Sequence, residues 1–367
     1  MSYDFSERYF FDLVLRNDAS SRFGKNKRNG LFWSLGLLWK AKKEKFLQDI
    51  AWLNDLDVKA SYGTQGNSSI PPYSTSAYAG KVGQKMGDMS LGFIIMGKPD
   101  LGWEHQSKFT VGVKTRILNR LDLNVEYYNR VTSDMLFEVP LPYTSGLTVG
   151  SAGYPTRYEN AGRYLNQGID LQLNEDILLG RDWGVSANAN LNYNKDKVLE
   201  LFEGRQSWQE PGGQLSYVVG KPVQFVLPLY KGVNPDTGVP EWYRPGADKN
   251  KPHRDDKDVV NEWSSSLSQN TGVDAYTPFT GGWGISAYWK GFYLNADFFF
   301  AIGKHMISMD KQFYENDYFV RDKKDNFNGS RRLFDYWKQP GDKTEFPSLA
   351  WVRDPSHQST YLDSKML

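Results

Sequence analysis

The stretch LDLNVEY, residues Leu121–Tyr127, alternates apolar and polar side chains without a break. Successive side chains of a β-strand point to opposite faces, so this alternation predicts a ribbon with one apolar side and one polar side. An α-helix repeats every ~3.6 residues and cannot keep every second residue on one side. The stretch therefore predicts a β-sheet whose two faces meet different surroundings.

The same alternation recurs elsewhere in the chain. It covers 183–194, where apolar odd positions alternate with Gly, Ser and Asn, and 292–300, where Asn295 and Asp297 are interleaved. Runs of this kind reach the ~9–11 residues that span a bilayer, whereas soluble strands average ~5–6 residues. They are 30–41, 107–118, 121–132 and 182–195. A half-buried sheet of a soluble protein shows the same alternation, so alternation alone does not indicate a membrane barrel. Strand length and the order of the loops favour the barrel.

The predicted connections are short at one end of the sheet and long at the other. Short turns are predicted at 119–120, 180–182 and 290–291, with a short amphipathic connection at 44–53. Long polar segments cover 17–29, 67–106, 133–165 and 195–280. The pattern predicts about ten strands, of which the first runs from Tyr3 to Arg16. Short turns opposite long loops are typical of outer-membrane β-barrels.

The composition agrees with a barrel in the outer membrane of a Gram-negative bacterium. Aromatic residues make up 15% of the chain, and we expect an interfacial girdle from those near strand ends. These residues are Trp33, Trp39, Tyr127, Trp183 and Trp289. The net charge of +1 argues against a nucleic-acid partner. The absence of cysteine fits an oxidising compartment.

Both ends of the chain bear on the domain organisation. A strand is predicted almost at Met1, and Tyr361–Leu367 resembles the start of another strand. An open sheet edge in lipid leaves backbone groups without hydrogen bonds, so the sheet must close or continue. We therefore expect residues 1–367 to be part of a larger barrel.

Several short motifs resemble the SusC/RagA-type TonB-dependent transporters. They are Phe32-Trp33-Ser34 with Trp39, Glu44 and Phe46-Leu47, the segments 58–67, 160–162, 166–170 and 220–222, and YKGVNPDTG at 230–238. The motifs occur in family order from about Arg16 to about Phe300, so the resemblance covers most of the chain. Each motif is short, but the ordered set is specific.

The resemblance implies a fold and a set of partners. It implies a barrel of about 22 strands with a plugged lumen, covered outside by a SusD-type lipoprotein lid and driven by the TonB complex. The plug, the TonB-contacting segment and the opening strands are expected outside this chain, and so are the last strands. Because the energy would come through TonB, no cofactor is expected. Residues 252–258 depart from the family pattern, which puts in doubt any calcium site of that loop.

Two groups of residues are candidates for function. In a barrel, the polar positions of the strands would line the lumen, while their apolar neighbours contact membrane lipid. The lumen candidates are Asp122, Asn124, Glu126, Asn188, Asn190 and Asn192. Recognition groups are commonly carried on loops, and the aromatic residues of the 195–280 loop are candidates for substrate contact. These are Trp208, Trp242, Tyr243 and Trp263.

These candidates suggest import of oligosaccharides, because sugar faces stack on aromatic rings. Oligopeptides remain an alternative cargo, since they could bind the same loops through backbone hydrogen bonds. An enzyme is not expected, because the acidic stretch with Asp255, Asp256, Asp258 and Glu262 fits a solvated loop better than a paired-carboxylate site. The sequence is also compatible with a soluble all-β carbohydrate-binding or carbohydrate-cleaving protein and with a self-contained small barrel.

Overall fold

The structure is a computed structural model that describes residues 1–85, 88–145, 155–209, 213–308, 314–315 and 329–352. The chain divides into two compact units. The sheet unit comprises Met1–Gln206, Val219–Lys221 and Thr277–Gly303. The loop unit comprises Ser207–Val218, Pro222–Tyr276 and Lys304–Leu367. The terminal strand predicted at 361–367 lies outside the described residues.

Strands make up most of the regular structure. They are β1 Ser2–Phe5, β2 Tyr9–Ala19, β3 Asn29–Lys40, β4 Leu53–Asn67, β5 Tyr78–Lys85, β6 Asp88–Ile95, β7 Glu104–Ile117, β8 Leu121–Ser133, β9 Leu136–Pro140, β10 Thr156–Asn160, β11 Arg163–Leu179, β12 Trp183–Glu200, β13 Ser207–Gln209, β14 Leu215–Val218, β15 Gln224–Pro228, β16 Tyr230–Val233, β17 Pro240–Tyr243, β18 Val259–Val260, β19 Ser268–Asp274, β20 Phe279–Trp289 and β21 Phe292–Ile302.

Helices are short. The α-helices that lie wholly within the described residues are α1 Lys45–Gln48 and α2 Leu349–Val352. Turns of 3-10 helix cover Ala41–Lys43, Tyr143–Ser145, Phe202–Gly204, Ser265–Leu267 and Arg331–Phe334. No helix in the described ranges is long and apolar enough to cross a membrane.

A 10-stranded sheet forms the frame of the sheet unit, in the order β1-β2-β3-β4-β7-β8-β11-β12-β20-β21. All of its pairs are antiparallel, so its connections alternate between the two ends of the sheet. Strands β1 and β21 are the two edges of the sheet within the described residues. The sheet confirms the predicted antiparallel all-β fold class.

The predicted first strand, Tyr3–Arg16, is wrong, because the structure divides it into the hairpin of β1 and β2. Ser6 and Glu7 have φ values of 55° and 50°, which turn the chain, and Arg8 N donates to Phe5 O at 3.1 Å. In this hairpin Tyr3 faces Phe11 and Phe5 faces Tyr9. The turn therefore keeps these residues on one face, so alternation in the sequence could not reveal it.

One face of the sheet is apolar along its whole width. A single row of paired residues crosses every strand of the sheet on this apolar face. The row is Tyr3, Phe11, Leu37, Ala60, Val111, Tyr127, Ile169, Tyr193, Phe279 and Ile302. Several of these side chains are exposed, including Ile169 at 45%. A continuous exposed apolar surface of this extent needs lipid or another apolar partner.

We call the opposite face of the sheet the polar face. It carries a second row, formed by residues that are adjacent in sequence to those of the apolar row. The row is Asp4, Phe10, Leu38, Lys59, Gly112, Glu126, Asp170, Asn192, Thr280 and Ala301. Its central strands carry charged, amide or glycine residues, whereas strands near the edges carry several apolar ones. The alternation read in the sequence is therefore an alternation between two faces of one sheet.

The predicted girdle residues lie at different places along the strands. Trp183 and Trp289 face each other next to the short turns, and Trp39 precedes the last residue of β3. Tyr127 instead lies in the middle of β8, which corrects its expected position near a strand end. The strand continues to Ser133, but the parity of Tyr127 then carries the polar residues Asn129 and Ser133 beside Val131, so the strict alternation ends before the strand ends.

The long connections of the sheet unit are folded rather than open. Strands β5 and β6 form a hairpin, and so do β9 and β10. Phe23, Ile70 and Leu101 form a buried cluster with Trp103 and neighbouring apolar side chains. Three of the long connections therefore share one small core.

The loop unit contains most of the segment predicted as a single loop at 195–280, namely Ser207–Val218 and Pro222–Tyr276. It holds a four-stranded sheet, β13-β14-β15-β19, and a three-stranded sheet, β16-β17-β18. Trp242 and Leu267 form a core cluster, against which Tyr230, Val260, Trp263 and Trp351 pack. The prediction of one long loop is thus corrected to a folded unit. Its strands are too short to show a period in the sequence.

Candidate functional site

The six residues predicted to line the lumen lie together on the polar face. β8 carries one group of three and β12 the other, and β11 runs between them. The paired rows are Asp122–Asn174–Asn188, Asn124–Gln172–Asn190 and Glu126–Asp170–Asn192. The three β11 residues were not predicted to line the lumen, although they alternate with Ile169, Leu171 and Leu173 and could have been found from that pattern.

An ion pair crosses β7 on the polar face. The side chains of Lys59 and Glu126 meet over Gly112, and Asn124 Nδ2 donates to Glu126 Oε1 at 3.1 Å. A Cβ atom at Gly112 would lie 2.7 Å from Glu126 Cγ and 3.0 Å from Lys59 Cε. Glycine at this position therefore allows two strands that are not neighbours to join their charges.

A second polar network continues toward the long-loop end of β8 and β12. Asn192 Nδ2 donates to Asp170 Oδ1 at 2.6 Å. Tyr128 Oη donates to Asn194 Oδ1 at 2.9 Å, reaching from β8 to β12 across β11. These side chains hold one another in fixed positions, so the polar face presents an ordered array of amide, hydroxyl and carboxylate groups.

A groove of about 460 Å³ opens on the polar face where β4, β7, β8 and β11 meet. Lys59, Lys114 and Arg116 line it together with Asp55 and Asp122. The Arg116 Nε to Asp122 Oδ1 distance is 3.8 Å. The groove thus offers charges of both signs to a polar ligand or protein segment.

Three buried polar atoms of this face have no hydrogen-bond partner within the described chain. They are Asp57 Oδ1, Asn124 Oδ1 and Arg130 Nε. Leaving such a group unpaired costs about 1–3 kcal/mol, so this face suits water or a polar partner and not hydrocarbon. The described ranges contain no cluster of three or more His, Asp or Glu residues that could hold a metal ion.

The structure buries two of the four aromatic residues predicted to contact substrate. Trp242 is 0% exposed in the loop-unit core. Trp208 is 8% exposed, and its ring centroid lies 5.5 Å from that of Tyr217. Both side chains stabilise the loop unit by packing, which corrects their assignment to ligand contact.

Tyr243 and Trp263 retain partial exposure. Tyr243 Oη donates to Asp256 Oδ1 at 3.1 Å. Burial and this bond raise the pKa of the Tyr243 phenol. Trp263 packs against the Trp242 cluster, and its Nε1 has no hydrogen-bond partner within the described chain. These two residues remain the loop candidates for contact with a ligand.

The acidic stretch of the loop unit is paired with other protein groups. Asp258 accepts from Arg244 Nε at 3.0 Å, and its other oxygen lies 3.5 Å from His253 Nε2. Asp255 Oδ1 accepts from the backbone N of Lys257 at 3.0 Å. Asp255 and Asp258 thus hold the loop together.

One contact was not foreseen from the sequence. The indole of Trp337 lies on the turn Asn234–Gly238 and donates to Pro235 O at 2.7 Å. Gly341 N donates to the same oxygen at 2.8 Å, and Ser348 N donates to Gly238 O at 2.9 Å. We call this contact the 234–337 clasp. The two segments of the clasp are far apart in sequence, so the contact could not be predicted from a local pattern. The sequence singled out the NPDTG turn only as part of the motif 230–238.

Comparison with known proteins finds a matching family model and several relatives of this chain. The family model described as TonB dependent receptor-like, beta-barrel, matches residues 1–341. TonB-dependent receptor P3 of Formosa agariphila is 31% identical over 208 residues, which are 56% of this chain and 20% of that protein. TonB-dependent receptor SusC of Bacteroides thetaiotaomicron is 28% identical over 226 residues, 59% of this chain and 22% of that protein.

Solved structures agree with the sequence relatives. The structure of the RagAB peptide transporter superposes with a TM-score of 0.79 at 34% identity, covering 100% of this chain and 38% of the solved chain. The same importer in an open-open state gives a TM-score of 0.77 at 35% identity over 95% of this chain. The chain thus spans about a fifth of the curated relatives, as the aligned 20% of receptor P3 shows.

Proposed function

Because the chain belongs to the TonB-dependent receptor β-barrel family, we propose that it forms part of an energy-coupled importer in the outer membrane of a Gram-negative bacterium. The observation that carries the proposal is the two-faced sheet. Its apolar row crosses all ten strands, while the facing row carries charged, amide or glycine residues on the central strands. A barrel wall between lipid and a wet interior requires this arrangement. The soluble carbohydrate-binding alternative is set aside, because the family is one of outer-membrane proteins.

We propose that residues 1–367 are the middle to late part of a larger barrel. The RagAB match supports this, since it covers 38% of the solved chain. The separate edges β1 and β21 support it as well, because the described sheet does not close on itself. A self-contained small barrel would need these edges to pair. The groove and the unpaired atoms of the polar face fit contacts with a plug segment of the same protein, or with passing substrate.

The proposed partners follow from the type of transporter. A SusD-type lipoprotein lid would cover the long-loop end. The TonB complex would supply energy through a segment outside this chain. No catalytic step and no cofactor form part of the proposal.

Oligosaccharides are the proposed cargo. Tyr243 and Trp263 support it, because a partly exposed aromatic ring can stack on a sugar, and the Asp256 carboxylate beside Tyr243 can accept hydrogen bonds from sugar hydroxyls. Oligopeptides are the second candidate. The match to a peptide transporter over 100% of this chain favours them, and the burial of Trp208 and Trp242 removes half of the predicted stacking surface.

Uptake by cells that express the complete receptor and its lid protein tests the proposal. Radiolabelled oligosaccharide and oligopeptide mixtures would be supplied separately, with and without functional TonB. We expect TonB-dependent uptake of oligosaccharides. Uptake of peptides alone would establish the second candidate, and uptake that persists without TonB would overturn the energy-coupled mechanism.

Variants of the two loop aromatics address ligand contact. Trp263→Ala and Tyr243→Phe should lower uptake about tenfold and about threefold, since loss of a stacked ring removes more binding than loss of one hydroxyl. Phe334→Ala is the matched control, because Phe334 is an exposed aromatic of the same unit. Equal uptake by all three variants would remove Tyr243 and Trp263 from the proposed site.

A further inference from the structure

The short turns of the sheet unit lie at one end of the sheet, and we call them the rim. Lys40 N donates to Arg8 O at 2.8 Å, linking the β1–β2 turn to the β3–β4 connection. Leu118 N donates to Trp52 O at 2.8 Å, linking that connection to the β7–β8 turn. Lys290 N donates to Asp182 O at 2.7 Å, linking the β11–β12 and β20–β21 turns. Hydrogen bonds thus connect neighbouring turns directly.

Basic residues outnumber acidic residues on this rim, although the whole chain carries a net charge of only +1. The basic residues are Arg8, Lys42, Lys43, Lys45, Arg120, Arg181 and Lys290, and the acidic residues are Glu7, Glu44, Asp49 and Asp182. The excess is therefore local to the short-turn end.

Part of this charge is used inside the rim. Lys43 pairs with Glu7 at 2.8 Å, and Arg8 pairs with Glu44 at 3.4 Å. Lys42 Nζ donates to three backbone carbonyls at the end of α1, including Ile50 O at 2.8 Å. These basic groups fix the conformation of the β1–β2 turn and of the β3–β4 connection.

Three basic residues on three different turns are exposed and take part in no ion pair within the described chain. They are Lys45, Arg181 and Lys290. Each lies beside an exposed aromatic residue. Phe46 follows Lys45 and is 70% exposed, and Trp289 precedes Lys290 and is 59% exposed. Trp183 is exposed as well, two residues after Arg181.

From this arrangement we infer that the rim binds the phosphate headgroups of anionic glycerophospholipids in the adjacent leaflet. Aromatic rings settle at the boundary between hydrocarbon and headgroups. A flexible basic side chain beside such a ring reaches the phosphate layer while its stem stays in the apolar region. Lys290 Nζ, which lies 5.6 Å from the centroid of the Trp289 ring, already has this relation to its aromatic neighbour.

The combination favours a lipid over a soluble anion. A soluble anion would need basic groups that converge on one point, whereas strands β7 and β8 separate the connection that carries Lys45 from the linked turns that carry Arg181 and Lys290. Spread basic groups with apolar anchors match a surface of many headgroups. The inference depends on the outer-membrane location and not on the cargo, so it can fail or succeed apart from the transport proposal.

Native mass spectrometry of the complete receptor in detergent tests the inference with phosphatidylglycerol as the probe. The triple variant Lys45→Gln, Arg181→Gln, Lys290→Gln should retain about tenfold less phosphatidylglycerol than the native receptor. The control variant Lys25→Gln, Lys27→Gln, Arg28→Gln removes the same charge from exposed residues of a long connection and should retain as much as the native receptor. Phosphatidylcholine should show no difference among the three proteins.

Several outcomes would overturn the inference. One is equal retention of phosphatidylglycerol by the native receptor and the triple variant, and another is equal loss in the control variant. Displacement of the lipid by millimolar inorganic phosphate would show that a free anion is the ligand instead. Heat-dependent migration in gels verifies that each receptor is folded. If the triple variant fails to fold, the single variants Arg181→Gln and Lys290→Gln should each still lower retention, and unchanged retention in both would also contradict the inference.

Discussion

Gly112 is the residue on which the charge pair of the polar face depends. A methyl group there would collide with Glu126 Cγ at 2.7 Å and with the backbone oxygen of Val125 at 2.9 Å. Gly112→Ala should therefore separate Lys59 from Glu126 and lower the free energy of unfolding by about 1–3 kcal/mol. Urea unfolding of the complete receptor in lipid vesicles measures this change.

Gly36→Ala is the matched control for this prediction. Gly36 also lies within a strand of the sheet, but a Cβ atom there would meet its nearest neighbour, Asp12 Cβ, at 3.7 Å, which is ordinary contact. Its effect should stay within about 0.5 kcal/mol. If the two variants lose equal free energy of unfolding, the close approach of Lys59 and Glu126 over Gly112 does not contribute to stability.

At the residue scale, the sequence predicts the face of the sheet on which a side chain lies better than it predicts the partner of that side chain in an ion pair or hydrogen bond. The polar parity of Asp122, Asn124 and Glu126 was visible in the alternation, and the register places them on one face. The partner of Glu126 was not visible, because Lys59 is 67 residues away and pairs with it across an intervening strand. Trp242 was assigned to ligand contact because an aromatic residue in an apparent loop gives no sign of a core around it.

At the scale of elements, the 234–337 clasp joins two distant segments of the loop unit. Gly238 has a φ of +70°, and a Cβ atom there would lie 2.4 Å from the Trp337 ring. Gly238→Ala should displace the indole and expose the amides of Gly341 and Ser348, which donate to the turn. Hydrogen exchange at these amides should become at least about tenfold faster.

Gly220→Ala is the control that separates the effect of backbone strain from the effect of losing the Trp337 contact. Gly220 has a φ of +87°, and nothing in the described chain lies within 4 Å of its would-be Cβ atom. This variant should carry the strain of a left-handed alanine but leave exchange at Gly341 and Ser348 unchanged. If hydrogen exchange at the Gly341 and Ser348 amides is also unchanged in the Gly238→Ala variant, the clasp does not hold the two segments together.

The long strands could be predicted from the sequence because each contains a long alternating stretch. β12 alternates over 183–194 and β21 over 292–300. The β1–β2 hairpin was missed, because its turn preserves the parity of Tyr3, Phe5 and Tyr9. The strands of the loop unit were missed for another reason. β18, for example, consists of Val259–Val260 only, and the order of such strands is set by tertiary contacts that no local pattern records.

At the scale of the whole molecule, the two faces of the sheet are suited to two different solvents. The apolar row crosses every strand, from Tyr3 on β1 to Ile302 on β21. The row beside it brings Lys59, Glu126 and Asp170 to the opposite face. A soluble protein would have to cover the first row with its own chain, whereas a barrel wall leaves it to lipid.

Spin labels placed one at a time along Leu121–Tyr127 test this claim most directly. The chain has no cysteine, so each introduced cysteine provides one label in this part of the complete receptor, reconstituted in lipid vesicles. Oxygen, which concentrates in hydrocarbon, and a water-soluble nickel complex would be used as relaxation agents. We predict high oxygen and low nickel accessibility at positions 121, 123, 125 and 127, with lower oxygen accessibility at 122, 124 and 126. A profile without this two-residue period, or with nickel reaching the odd positions, would contradict a lipid-facing apolar side.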